Sequence, residues 1–288
     1  MKKRAIKLIL LLAGLATLVW WGWIGNFSLK SGSFYPFGPR EDYYALMAGQ
    51  KNLGYARREV ALAPDKKNLT LTEDFVINLS VLVAEGEIRC QSKAEFTSKG
   101  DFLSSRLGLG LGLGAKPLAE VRSEVKDGQL TYWIEVGDKR RTAAKPVPET
   151  GPIMISGLLP WLARQRDLPL GRPIFFSLFD PSRLEFRPAS LTIIDVTAQA
   201  VEKKVYKLAV FLDPFQTEIW IDADGKVLSQ KSTDLEFGVV AIENPQVLTE
   251  AKNILGSPPK PGFLNHLPKV LLDMIVSQGV GALWPEDK

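Results

Sequence analysis

One cysteine and one histidine in 288 residues remove most of the chemistry that a chain of this size commonly carries. With Cys90 alone, no intramolecular disulfide can form, and the fold must hold together by core burial. No CxxC, HExxH or Cys/His cluster is present, which excludes the usual zinc sites. His266 is the only imidazole, so any Ser-His-Asp or Cys-His arrangement has to use it. No G-x-S-x-G elbow is present, and Cys90 falls inside a regularly alternating stretch rather than at a strained turn. The carboxylate pairs Glu85/Glu87 and Asp222/Asp224 are accounted for by turns and solvated faces. The glycine run from Gly108 to Gly114 has neither the Lys-Ser/Thr ending of a phosphate loop nor the spacing of G-x-G-x-x-G. The expectation is a protein without enzymatic activity, cofactor or metal. A net charge of +4, part of it at the extreme N-terminus, leaves the rest of the chain nearly balanced and argues against a nucleic-acid partner.

What is present begins with the N-terminal thirty residues. Lys2, Lys3, Arg4 and Lys7 precede a run without charge from Leu8 to Leu29. The apolar heart, Leu8 to Ile24, has seventeen residues. At about 1.5 Å per residue it nearly crosses a hydrocarbon core, and the uncharged flanks complete the span. Cations on the first side and none on the other until Lys30 place the N-terminus in the cytoplasm. Trp20, Trp21 and Trp23 fall at the exit interface. A cleaved secretory signal is the alternative, but the apolar segment is long for one and no clean small-x-small site follows it. Residues 1–30 are therefore expected to be a single-pass signal anchor in a bacterial inner membrane, with the bulk of the chain periplasmic.

Residues 31–41 read as a linker rich in Pro and Gly. From there to about residue 240 the dominant period is two, the mark of a half-buried antiparallel sheet. Tyr43 to Leu62 reads as a hairpin, followed by strands over Leu69–Val83 and Ile88–Phe96. From Leu107 to Gly114, leucines and glycines alternate, so an extended chain puts every Leu on one face and every Gly on the other. The bare face admits a helix, a neighbouring backbone or an acyl chain. Asp127-Gly128 and Asp224-Gly225 mark tight hairpin turns. Strands are also expected over 118–125, 130–136, 172–179, 190–200, 204–212, 215–221 and 227–233. A segment of helical period over 150–166 interrupts them.

Residues 241–288 form a helical extension. A first helix is expected from Pro245 to Leu255, stopped at Gly256. After a Pro-rich spacer, Phe263, Leu267, Val270, Leu271, Met274 and Ile275 make an apolar stripe. It caps the domain, docks on a partner or lies on the membrane surface.

Two segments carry a resemblance. Tyr44-Ala-Leu-Met-Ala-Gly-Gln-Lys-Asn-Leu-Gly-Tyr-Ala56 and the hairpin Glu218-Ile-Trp-Ile-Asp-Ala-Asp-Gly-Lys-Val-Leu228 resemble the β-rich region ahead of the catalytic domain in membrane-anchored transglutaminase-like proteins of bacteria. More remotely they are similar to lipoprotein-carrier-like incomplete β-barrels. The resemblance spans roughly Tyr43 to Thr233. The Cys, His and Asp that a transglutaminase-like domain needs downstream are absent, so it implies the non-catalytic module standing alone. It further implies a mainly β (α+β) fold: a strongly curved antiparallel sheet or incomplete barrel around an apolar groove, with short helices as a lid. The groove expected on that basis takes a lipid-like ligand and is lined by Leu109, Leu111, Leu113, Trp133, Ile153, Met154 and Trp161. The competing expectations are a scaffolding subunit docking an envelope protein through Leu267, Leu271 and Met274, and a thiol enzyme using Cys90.

Overall fold

Tight turns at Gly49 (φ 56°) and at Asp127-Gly128 (φ 51° and 73°) reverse the chain where left-handed backbone is cheapest. In the computed structural model these turns join β1 (Arg40–Ala48) to β2 (Lys51–Leu62), and β6 (Ala119–Lys126) to β7 (Gln129–Val136). The structure describes residues 40–63, 68–78, 87–97, 101–111, 119–136, 139–148, 170–180, 185–199, 203–212, 215–222, 226–232 and 237–258. The proposed anchor lies outside them. Among the described residues, no helix is long and apolar enough to cross a membrane.

The remaining strands of the first half are β3 (Asn68–Asn78), β4 (Glu87–Thr97), β5 (Phe102–Leu111) and β8 (Lys139–Pro146). The second half has β9 (Ile174–Asp180), β10 (Glu185–Gln199), β11 (Lys203–Leu212), β12 (Phe215–Asp222), β13 (Val227–Ser232) and β14 (Phe237–Ala241). Each strand pairs antiparallel with its sequence neighbours, apart from β8 and β9, and β14 pairs with β1. Two meanders thus meet at their first and last strands to make one 14-stranded sheet in the order β8-β7-β6-β5-β4-β3-β2-β1-β14-β13-β12-β11-β10-β9. Sequence reading missed β8 and β14.

The sheet is rolled but not closed. Tyr132 on β7 and Phe179 on β9 have ring centroids 4.9 Å apart, although twelve strand spacings separate those strands. Laid flat, they would be roughly 58 Å apart at about 4.8 Å per strand. No ladder joins edge strands β8 and β9 among the described residues. The curved, mainly β architecture expected above is therefore present.

The inner face is built in rungs. Tyr44, Ala56, Phe75, Cys90 and Leu109 are successive cross-strand partners on β1 to β5. The first four are buried, in one core with Leu178, Leu191, Leu208, Val210, Ile219 and Ile221 of the second half. Two residues along, the next rung is polar: Asp42, Arg58, Glu73 and Ser92. Beyond it a second core gathers Val60, Leu71, Phe96, Phe102, Leu130, Tyr132, Ile134 and Phe179. Each large side chain so buried contributes about 1.5–3 kcal/mol over its exposed state.

The polar rung holds Arg58 at 1% and Glu73 at 3% exposure. Arg58 Nε and Nη2 donate to Glu73 Oε1 at 3.1 and 2.9 Å. Ser92 Oγ donates to the other oxygen at 3.3 Å, and the Tyr44 ring lies 5.8 Å from the guanidinium. Burial pushes the Glu73 carboxyl above its ordinary range, while Arg58 and Ser92 pull it back.

Helix α1 (Pro245–Gly256) has the limits expected of it. Asn244 caps it, its side-chain oxygen accepting from the Gln246 and Val247 amides, and Pro245 needs no such partner. Ala251 is fully buried where α1 meets the outer face of β1 to β3.

Candidate functional site: a cationic groove on the outer face

Three outward rungs meet beside α1. The first, Ala45, Tyr55, Val76, Arg89 and Gly110, is the one the helix covers in part, burying Tyr55 and Val76. The Tyr55 hydroxyl bonds Glu250, and Lys252 sits 5.2 Å from the centre of the Tyr43 ring. Arg89 Nη2 donates to the Ile254 carbonyl at 3.3 Å, placing a cation at the negative end of the helix. Its Nε is engaged by Glu87 at 2.9 Å. Burial, with Glu41 second, pushes the Tyr43 phenol up to about 12.

The second rung runs Tyr43, Arg57, Asp74, Gln91, Gly108, Glu120, Glu135 and Arg140. Arg57 donates to Asp74 through Nε and Nη2 at 3.0 and 2.6 Å, and to Glu41 at 3.3 Å. Gln91 completes the Asp74 shell at 2.9 Å. The third rung is Glu59, Thr72, Lys93, Arg106, Arg122, Trp133 and Thr142. Arg106 reaches Glu120 through Nε and Nη2 at 2.7 and 2.9 Å, and Arg122 Nε donates to the same carboxylate. Those bonds, the one from Arg122 first, hold the Glu120 carboxyl below its usual range.

Between α1 and these rungs opens a groove of about 970 Å³. Among the described lining residues the cations are Arg57, Arg89, Lys93, Arg106 and Lys252 and the anion is Asp74, while Glu41, Glu87, Glu95 and Glu120 pair with four of those cations around it. Gly108 and Gly110 line it where side chains would otherwise stand, and Leu255 and Gly256 form the helix side. A Cβ at Gly110 would meet only the Arg89 carbonyl, at 3.7 Å, so glycine there is not demanded by packing. What its absence of side chain provides is room. The arrangement has the parts to hold a ligand with a negatively charged end. Among the described residues, no group of His, Cys, Asp and Glu is placed to bind a metal.

The residues expected to line an apolar groove are distributed differently. Leu109 is half-buried and packs against the inner core. Trp133 is half-buried on the opposite, outer face, next in register to Arg122. The strict alternation of β5 and β7 therefore separates them, and they share no groove wall. Leu111 pairs with Ile88 through its backbone. Leu113, Ile153, Met154 and Trp161, like Leu267, Leu271, Met274 and His266, lie outside the described residues. Cys90 faces the inner core, and burial pushes its thiol up to about 12, so it stays protonated at neutral pH. Sequence reading singled out the glycines of β5 but missed Lys93, Arg106, Glu120 and Arg122, whose proximity is a matter of register.

No family model matches this chain, and no curated protein matches it. Among solved structures it is similar to the crystal structure of a beta-barrel-like protein of domain of unknown function DUF1849 from Brucella abortus. The sequences are 12% identical over 71% of this chain and 95% of that one, with a TM-score of 0.47.

Proposed function

We propose that this is a single-pass bacterial inner-membrane protein whose periplasmic β domain is a non-enzymatic binding module for a lipid-like amphiphile. In this reading it is a carrier-like module of the kind that precedes a transglutaminase-like domain. The N-terminal run from Leu8 to Leu29 is the tether, with Lys2 to Lys7 on the cytoplasmic side. The observation that carries the proposal is the groove beside α1, in which cations stand next to a glycine floor and Leu255. A ligand with one charged end and one apolar end matches that division. The protonated, buried Cys90 supports a binding role over thiol chemistry.

The test is native mass spectrometry of the full chain, purified from bacterial membranes in a mild non-ionic detergent. The expected result is a reproducible added mass that fragments as a lipid and is lost when Arg106 and Lys252 are both replaced by Gln. A bare polypeptide mass under the same conditions overturns the ligand reading. A Cys90→Ala chain should retain both the fold and the added mass.

A further inference from the structure

Like charges set directly opposite one another across a strand pair are unfavourable. Even so, Lys93, Arg106 and Arg122 are immediate neighbours on β4, β5 and β6. Cross-strand neighbours have Cβ atoms about 4.5–5.5 Å apart. The three side chains are 55%, 63% and 50% exposed, whereas Glu120, the carboxylate that two of them share, is only 8% exposed. With their partners counted, Lys93, Arg106, Arg122 and Arg140 face Glu95, Glu120 and Glu135, which leaves one positive charge over. Glu120 also orients two of the heads: Arg106 spends Nε and Nη2 on it, and Arg122 spends Nε. A guanidinium carries five N–H donors, so both heads have donors beyond those that meet Glu120. The row enters the groove at Lys93 and Arg106, beside Gly108.

We propose that Lys93, Arg106 and Arg122 form a recognition site for a phosphate group. Guanidiniums match phosphate oxygens in pairs, and two that already converge on one carboxylate can be bridged by one phosphate. A phosphate monoester brings three acceptor oxygens and nearly two charges, enough to engage both arginines and the lysine. A carboxylate offers two oxygens, and Glu120 already supplies that contact from below. This rests on the groove reading above and sharpens it: the amphiphile is phosphorylated, its headgroup on the arginine pair and its apolar part running over Gly108 toward α1. Glu120 is a positioning residue, acting through the two arginines.

The experiment titrates the full chain, held in phosphatidylcholine nanodiscs with empty discs as the blank, with dihexanoyl phosphatidic acid, dihexanoyl phosphatidylcholine and inorganic phosphate. Calorimetry should show saturable binding of the phosphatidic acid, at least about tenfold tighter than the phosphatidylcholine. Arg122→Gln, which leaves Glu120 its Arg106 partner, and Lys93→Gln, which removes the exposed pair with Glu95, should each weaken the phosphatidic acid severalfold and the phosphatidylcholine, a diester with less charge, by less. Equal affinity for the two lipids, in the parent and both variants, overturns the phosphate site and leaves the groove standing. Inorganic phosphate bound as tightly as phosphatidic acid, and weakened by the same variants, supports the site but overturns the amphiphile. No binding of any probe overturns both.

Discussion

Arginine meets glutamate twice in this sheet, in opposite surroundings. Arg58 and Glu73 face inward, each almost without solvent contact, between two apolar cores. Arg106 and Arg122 face outward over Glu120, with their heads half or more exposed. The pairing chemistry is the same and the consequences differ. Inside, the donors described for Glu73 are Arg58 and Ser92 of neighbouring strands, and burial keeps the pair from solvent. Outside, the carboxylate is nearly covered and the cations are not, so the protein holds its donors ready at the surface.

The inner pair should produce the largest effects. Arg58→Met leaves Glu73 buried without its counter-charge and should lower the unfolding free energy by about 3–5 kcal/mol in urea titrations. Replacing both, as Arg58→Met with Glu73→Leu, should recover most of that loss, because the desolvation cost disappears with the charges. A double variant as unstable as the single would show that the pair contributes more than compensation. Next in size is Gly54→Ala at the β2–β3 boundary, where a Cβ would stand 2.0 Å from the Val76 carbonyl oxygen at φ 156°. It should cost more than about 1 kcal/mol and perturb the neighbouring ladder, seen as faster amide exchange at Val76 and Ile77.

Acid separates the two carboxylates by sign. Glu120 is held below its ordinary 4.5, so the stability it supplies is present above that value and is lost as pH falls through its folded-state pKa. Glu73 is pushed above 4.5, so its titration lowers stability as pH rises from 4.5 through its folded-state pKa. Urea midpoints between roughly pH 3 and pH 7 should therefore show Glu120→Gln removing part of the acid-side loss, and Glu73→Gln removing a slope of the opposite sign. The smallest effect belongs to Arg122→Gln, whose urea midpoint should be indistinguishable from the parent's, as expected of an exposed ion pair.

Legibility follows the same division between local and long-range information. The Asp127-Gly128 turn, the alternation of β4 and the Pro245–Gly256 helix rest on neighbours in the chain, and all three are where sequence reading placed them. β8, Lys-Arg-Arg-Thr-Ala-Ala-Lys-Pro, was not recognised because an edge strand needs little apolar alternation and is guarded by cations and proline. β14 has five residues and owes its place to β1, almost two hundred residues earlier. The site was illegible for a related reason. Lys93, Arg106 and Arg122 are unremarkable strand cations until register makes them neighbours, and a one-residue slip would turn any of them to the other face. Trp133 drew notice for its apolar bulk, yet the same register sets it beside Arg122 rather than Leu109. The bare glycine face of β5 was visible in advance, whereas the cations standing around it were not.

In the proposal above, the outer arginines serve a ligand and the inner one serves the fold. The most direct test is the thermal unfolding of the full chain with and without saturating dihexanoyl phosphatidic acid, in the parent, in Lys93→Gln/Arg122→Gln and in Arg58→Met/Glu73→Leu. At a hundredfold excess over Kd, a ligand bound only to the folded state stabilises it by about 2.7 kcal/mol. That gain is expected in the parent and in the inner double variant, and its loss in the outer one. An equal gain in all three, or a gain lost only when the inner pair is removed, would contradict it.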